Sequence, residues 1–477
     1  MNDSTTTVGD DDAGRAFQAA STMLSGILAI SASQAIGAPL KLMDAKLYRD
    51  YMAWTKESFA VLVTSITQWW APTDIKVSGD DSMKDQLFQM SDGSLKCNLP
   101  HRMVLMANHQ LYTDWLYLWW IAYTNKMHGH IYIIMKESLK QLPILGWGAQ
   151  LYNFVFLSRK WETDQSVFRQ ALSHLCSPRD PMWLLIFPEG TNLSAFTREQ
   201  SAKWAKKSNI KDMKHQLLPR SKGLQFCLQE LQTSTNWLYD CTIAYEGVPE
   251  GSYGQDIYTL HSSFLGGKPP KAVNMHWRRF RISEIPLDNV DAFARWLNNR
   301  WREKDYLLEY FAQHKRFPAG PVSQTLKRLQ RQMPVEHTRY IGTQIKGEGW
   351  NEFLGIFEPV TSLSGMLSNV DLTEPISMEA ILQKVLQDGS AKNGSLKKVL
   401  TTAQRSETAR KVLKEVLAKG ALSKSLQGSK PPTVSRSLKQ QQRPKLLISK
   451  NDIASVQLAG RKSRAASATP GQAHSAK

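Results

Sequence analysis

The placement of the aromatic residues limits where this chain can fold. All 15 Trp lie between Trp54 and Trp350, and the last aromatic of any kind is Phe357. The 120 residues that follow are rich in Ser, Lys, Gln and Ala. Such a segment cannot bury enough apolar surface to offset its ordering entropy, so a packed core must lie before it. Charge respects a similar boundary. Residues 390–477 carry 19 Lys and Arg against 3 Asp and Glu, which leaves 41 basic and 39 acidic residues in the rest of a chain of net charge +18. The basic character therefore describes a tail on a nearly neutral domain. The tail lacks aromatics for base stacking and shows no recognition motif, which argues against a nucleic-acid partner. Its apolar residues Leu396, Val399, Leu400 and Ala403, then Val412, Leu413, Val416 and Leu417, recur at helical spacing among cations. The tail is expected to be mostly disordered and to meet an anionic membrane surface through short basic helices.

The other end has the opposite character. No charged residue occurs from Ala16 to Leu40, a run of 25 positions that is long enough to cross a bilayer as a tilted helix. Asp3, Asp10, Asp11 and Asp12 precede it where a cleaved signal peptide would need positive charge. A second uncharged run, Ser58 to Thr73, has 16 residues and ends near Trp69 and Trp70, which suits an interfacial helix. Lys41, Lys46, Arg49 and Lys56 follow the first run and only Arg15 closely precedes it, so a spanning helix would put the downstream domain in the cytoplasm. Cys97, Cys176, Cys227 and Cys241 include no C-x-x-C pair and no histidine at ligand spacing, so neither a disulfide framework nor a structural metal site is expected.

Between the ends, short apolar runs alternate with helical patterns, which predicts an α/β fold. Expected strands are Met103–Ala107, Ile131–Lys136, Phe154–Leu157, Trp183–Phe187 and Trp237–Tyr245, and expected helices run over about 113–125, 164–176 and 288–314. Functional side chains in open α/β sheets gather at the carboxyl ends of strands. The loop after Ala107 reads Asn108-His109-Gln110-Leu111-Tyr112-Thr113-Asp114. A carboxylate five residues after a histidine can accept a hydrogen bond from one ring nitrogen and leave the other free as a base. It can equally be a helix first-turn acid with no catalytic task. The loop after Phe187 reads Pro188-Glu189-Gly190-Thr191-Asn192, in which a glycine permits close approach of a ligand to the backbone.

The two motifs together, N-H-x-x-x-x-D after one strand and F-P-E-G-T after a later one, resemble the lysophospholipid acyltransferase family (1-acylglycerol-3-phosphate type) over roughly residues 16–318. The resemblance implies a glycerolipid-acyltransferase-like sheet flanked by helices. It also implies transfer of a fatty acyl chain from acyl-CoA, a substrate, with no bound cofactor, to a lysophospholipid hydroxyl. His109 would be the base and Asp114 its orienting partner, with Glu189, Gly190, Thr191, Arg159 and Lys136 around the acceptor's phosphate. Many lysophosphatidate-acylating members carry Arg after E-G-T, where this chain has Asn192. That departure and the Leu238–Gly247 block look more like the branch acylating lysocardiolipin or lysophosphatidylinositol, particularly its fungal members. A phosphatidate-forming acyltransferase, an inactive lipid-binding scaffold, and a phosphatase or esterase remain as alternatives. The expected organisation is an acidic disordered N-terminus (1–15), membrane-embedded or interfacial helices (16–73), the acyltransferase domain (74–318), a linker and peripheral segment (319–389) and the tail (390–477). The expected location is an endomembrane, the endoplasmic reticulum, with the catalytic domain facing the cytoplasm.

Overall fold

A computed structural model describes residues 7–158 and 161–361. Arg159 and the basic tail, with its expected helices, lie outside the described residues. The described strands are β1 (Asp74–Gly79), β2 (Leu87–Gln89), β3 (Leu95–Cys97), β4 (Arg102–Ala107), β5 (Ile131–Lys136), β6 (Val155–Leu157), β7 (Met182–Ile186), β8 (Trp237–Tyr245), β9 (Ala272–Arg281) and β10 (Ile341–Gln344). Helices α1 (Thr7–Gly37), α2 (Leu40–Met43) and α3 (Ala45–Trp70) precede the sheet. Then come α4 (Asp114–Thr124), α5 (Leu145–Leu151), α6 (Trp161–Ser173), α7 (Ala195–Lys207), α8 (Ser221–Leu231), α9 (Gly254–Ile257), α10 (Val290–His314), α11 (Val322–Gln330) and α12 (Trp350–Leu354). The fold is α/β, and the five strands read from the sequence coincide with β4 to β8 within one residue.

Eight strands form one sheet in the order β10-β1-β9-β8-β4-β7-β5-β6, and β2 and β3 form a separate antiparallel pair. β8, β4, β7, β5 and β6 run parallel, so their carboxyl ends share one edge of the sheet. β4 sits at the centre, and its alternation divides the core in two. Met103, Leu105 and Ala107 pack on the face covered by α3 and α4, with Leu62, Val63 and Leu118. Val104 and Met106 pack on the opposite face with Phe168 of α6, Leu224 of α8, and Phe293, Leu297 and Trp301 of α10. Period-two side chains on a strand buried from both sides explain why β4 reads as an unbroken apolar run. Arg102 closes the far end of β4 by donating to the carbonyls of Ser234 (2.9 Å) and Leu175 (2.6 Å).

β9 escaped the sequence reading because three of its buried side chains are polar. Asn274 donates to Glu246 (3.0 Å), His276 bonds Ser78 (3.0 Å), and Arg278 pairs with Asp240 (2.8 Å). Each polar group has a partner, which makes its burial tolerable but hides the strand from a hydrophobic pattern.

The N-terminal helices form an antiparallel hairpin. Gly26 of α1 lies against Leu62 of α3 so closely that a Cβ would overlap the leucine side chain, and Tyr51 Oη donates to Ser33 O at 2.9 Å. Arg15, near the start of α1, reaches the carbonyl of Trp70 at the end of α3. The segment Ala13–Leu42 is long and apolar enough to cross a membrane, and an 18-residue apolar window within it is 33% buried inside the protein. Phe17, Leu24 and Leu28 are exposed on its outer side. The run Ser58–Thr73, expected to be interfacial, proves different. From Ser58 to Thr67 every residue except Phe59 is buried, because α3 is sandwiched between α1 and the sheet domain. Lys56, buried with it, donates to Ile131 O at 3.0 Å beneath the ring of Tyr132 and ties α3 to β5.

The expected domain end at Pro318 falls short. β10 adds an antiparallel edge strand to β1. The chain then returns to the N-terminal hairpin, where Trp350 stacks on Trp69 (centroids 4.2 Å apart) and Phe353 meets the same ring edge-on at 5.0 Å. Tyr123 of α4 donates to Glu352, and Gly347 N donates to Gln68 Oε1 (2.9 Å). Residues 341–357 thus act as a strap across α3 and α4. Phe353→Ala, which opens a buried site, should lower unfolding stability in micelles by about 3 kcal/mol. Trp350→Ala, which removes an exposed stacking partner, should cost about 1 kcal/mol. Denaturation midpoints equal to wild type for both variants would show that the strap lies outside the cooperative unit.

Candidate active site

Asn108 follows β4 and continues its pairing with side-chain atoms. Its Nδ2 donates to Ile243 O (2.9 Å) and its Oδ1 accepts from Ile243 N (2.8 Å), so the chain leaves the sheet at a fixed angle. His109 comes next and is gripped through its backbone. Its N–H donates to Glu189 Oε1 (3.0 Å), and its carbonyl accepts from Leu193 N (2.8 Å). β4 and β7 are adjacent parallel strands, which is why the loops that follow them meet.

The His109 side chain is held from two directions. Nδ1 lies 2.8 Å from Asp114 Oδ2, and the ring stacks on Phe187 with centroids 4.2 Å apart. A carboxylate accepts, so Nδ1 carries the proton and the lone pair of the neutral ring is on Nε2. Among the described residues Nε2 has no hydrogen bond, and the side chain is 18% exposed. Asp114 is fully buried at the first position of α4. Besides the imidazole, its Oδ2 accepts from the amides of Gln110 (2.6 Å) and Leu111 (3.0 Å), and its Oδ1 accepts from Tyr245 Oη. One carboxylate therefore orients the ring, shapes the loop and occupies the positive end of α4. Tyr245 belongs to the Leu238–Gly247 block that carries part of the resemblance, but its contact with Asp114 spans 131 positions, which no local spacing reveals.

Glu189, expected around the acceptor's phosphate, turns its side chain into the protein. It is 2% exposed, and its oxygens are taken by His109 N and by Leu217 N (3.1 Å). It clamps three loops together and presents no oxygen to the cleft. Burial pushes its carboxyl up to about 8, although the two amides and the nearby charge of Lys304 pull the other way. Lys304 is itself wholly buried, donating to Cys241 O (2.7 Å) and pairing with Asp240 (2.6 Å) behind β8.

Gly190 has φ +73°, a backbone conformation open to glycine, and lies in the turn where its N–H meets Phe187 O (2.9 Å). Thr191 is half-buried on the same turn. Asn192 is buried, and its amide donates to Gln255 of α9. Lys136 is exposed at the carboxyl end of β5 and lines a cleft of about 430 Å³ with Lys140, Leu157 and Ser158. β5 is two strands from β4, so this cleft is on the order of 10 Å along the sheet edge from the histidine's strand. The structure thus brings His109, Asp114, Glu189 and Gly190 together and sets Lys136 apart.

Residues 75–245 match the family model described as acyltransferase, and residues 263–337 match one described as acyltransferase C-terminus. An uncharacterized acyltransferase of Schizosaccharomyces pombe is 38% identical over 310 residues, covering 65% of this chain and 88% of that protein. The chain belongs to the acyltransferase family. A 2-acyl-1-lysophosphatidylinositol acyltransferase of Saccharomyces cerevisiae is 39% identical over 303 residues, covering 56% of this acyltransferase and 76% of the yeast protein. A lysocardiolipin acyltransferase 1 of Gallus gallus is 34% identical over 217 residues, covering 44% and 54% respectively.

The buried Glu189 makes stability depend on pH with a definite sign. With its folded-state pKa raised from 4.5 to about 8, the folded acyltransferase keeps a proton that the unfolded chain releases, so this group's contribution falls as pH rises through that window. Glu189→Gln cannot ionise. Relative to wild type, the variant's melting temperature should improve between pH 5 and pH 8, on top of a constant loss of about 1 kcal/mol for the amide bond that its NH2 group cannot accept. A difference that does not vary with pH would show that Glu189 is already ionised at pH 5.

Proposed function

We propose that this acyltransferase moves a fatty acyl chain from acyl-CoA to the free hydroxyl of a lysophospholipid whose phosphate is a diester, of the lysophosphatidylinositol or lysocardiolipin kind. The observation that carries the reading is the His109–Asp114 pair, 2.8 Å apart, with Nε2 left open at the carboxyl edge of the sheet. The acceptor oxygen attacks the thioester carbonyl while Nε2 takes its proton. The new C–O bond forms, the C–S bond breaks, and the proton passes from the imidazolium to the departing thiolate, so no acyl-enzyme is required. Asp114 keeps the ring in the reactive tautomer and stabilises the imidazolium that forms.

Two observations bear on the acceptor. The relatives named for lysophosphatidylinositol and lysocardiolipin share 39% and 34% identity with this chain. The position after Glu189-Gly190-Thr191 holds an amide already committed to Gln255, in place of a cation suited to a phosphomonoester's nearly double charge. For location we propose attachment to an endomembrane, the endoplasmic reticulum, through the outer face of α1, with the catalytic domain on the cytoplasmic side. Exposed Phe17, Leu24 and Leu28 supply the apolar contact there. The basic tail would add attraction to anionic lipid. An inactive scaffold is the less economical reading, because it would have no use for an imidazole held in one tautomer.

Purified enzyme in micelles, given radiolabelled acyl-CoA and a panel of lysophospholipids, tests the proposal. Lysophosphatidylinositol or lysocardiolipin should have the highest kcat/KM. His109→Ala should lower turnover by roughly a hundredfold or more with melting temperature little changed. Asp114→Asn should also fall sharply, since its NH2 group opposes the donors around it. Lysophosphatidate as best acceptor would favour the phosphatidate-forming alternative, and undiminished turnover by His109→Ala would remove the base from the mechanism.

A further inference from the structure

The carboxyl and amide side chains of the loop that carries Gly190 are already bound within the protein. Glu189 is bound to two amides, Asn192 to Gln255, and His109 Nδ1 to Asp114. One cation from a different part of the chain lies against this loop. Arg220 N donates to Pro188 O at 2.8 Å, which fixes the arginine's backbone beside the Pro188–Gly190 turn. Its side chain then crosses Gly190. A Cβ placed on that glycine would lie 3.6 Å from Arg220 Cδ and Nε and 3.8 Å from Cζ.

The guanidinium is exposed, and among the described residues it has no hydrogen bond and no carboxylate within ion-pair distance. Structural arginines in this protein look different. Arg102 is buried and donates to carbonyls, and Arg278 is buried against Asp240 and Glu303. Arg220 is instead positioned by its backbone, with its five donors unspent. It crosses Gly190, the residue next along the chain from the Glu189 carboxyl that holds the His109 backbone. A planar fork with unspent donors suits two oxygens of one phosphate. In a lysophospholipid the reacting hydroxyl and the phosphate sit on one three-carbon backbone, so a group that grips the phosphate beside Gly190 also sets where the hydroxyl meets Nε2.

We propose that Arg220 binds the acceptor's phosphate and positions its hydroxyl for His109. This rests on the lysophospholipid reading above. It assigns the task to a residue distant in sequence from E-G-T, where Glu189 has no free oxygen and Asn192 no charge.

The test uses full-length enzyme in micelles with lysophosphatidylinositol and oleoyl-CoA varied in turn. Arg220→Ala should raise KM for the acceptor by roughly tenfold to a hundredfold, as expected for a lost charge-assisted pair, with kcat within a few-fold and KM for the donor unchanged. Arg220→Lys, which keeps the charge but loses the fork, should fall between. A general folding defect would instead lower kcat and melting temperature together, and if the alanine variant is unstable the lysine variant supplies the same comparison. An unchanged acceptor KM in both variants overturns the proposal. So does a rise confined to the donor's KM, which would move Arg220 to the phosphates of coenzyme A. Wild-type enzyme that acylates no lysophospholipid would sink the acceptor reading itself, whereas active wild type with indifferent variants removes Arg220 alone.

Discussion

The carboxylate of Asp114 is the interaction on which the rest of the site depends. It is fully buried, and four donors converge on it: the imidazole, two loop amides and the hydroxyl of Tyr245. An unpaired buried carboxylate would be strongly disfavoured, so those donors are held in place by the same free energy that keeps the charge in the interior. The geometry of the imidazole thus follows from the electrostatics of its partner. The loop cannot relax without stranding a charge.

A second acidic side chain, whose burial favours the protonated carboxyl, extends that order sideways. Glu189 bridges the backbone of His109 to Leu217 and so joins three segments at the edge of the sheet. Its value is mechanical: His109 is restrained by its own main chain on one side and its ring on the other. Such restraint from packed neighbours is what lets an active site act without reorganising as charge develops.

How much of this was readable depended on the range of the signal. β4 to β8 were legible because strands buried on both faces become continuous apolar runs. β9 was not, because Asn274, His276 and Arg278 are buried against partners elsewhere. The uncharged half of α3 was read as interfacial because a helix surrounded by protein and one surrounded by lipid have the same composition, and only the neighbours tell them apart. His109 and Asp114 could be found from a five-residue spacing. Tyr245 and Arg220 could not, since each meets the site from a distant part of the chain. For Glu189 the motif identified the residue but not the atoms it touches, and those atoms change its role from ligand contact to clamp.

The strap has a consequence for how the protein is made. Trp69 and Gln68 near the start of the chain wait for Trp350 and Gly347, which are synthesised about 280 positions later. Chains grow at roughly 5–20 residues per second, so the N-terminal hairpin spends on the order of tens of seconds without its last partners. During that interval the side of α3 that the strap later covers is bare, and in water such a surface invites aggregation. Synthesis at a bilayer would shelter the hairpin for as long as it waits, and release from that shelter would be timed by the arrival of the strap.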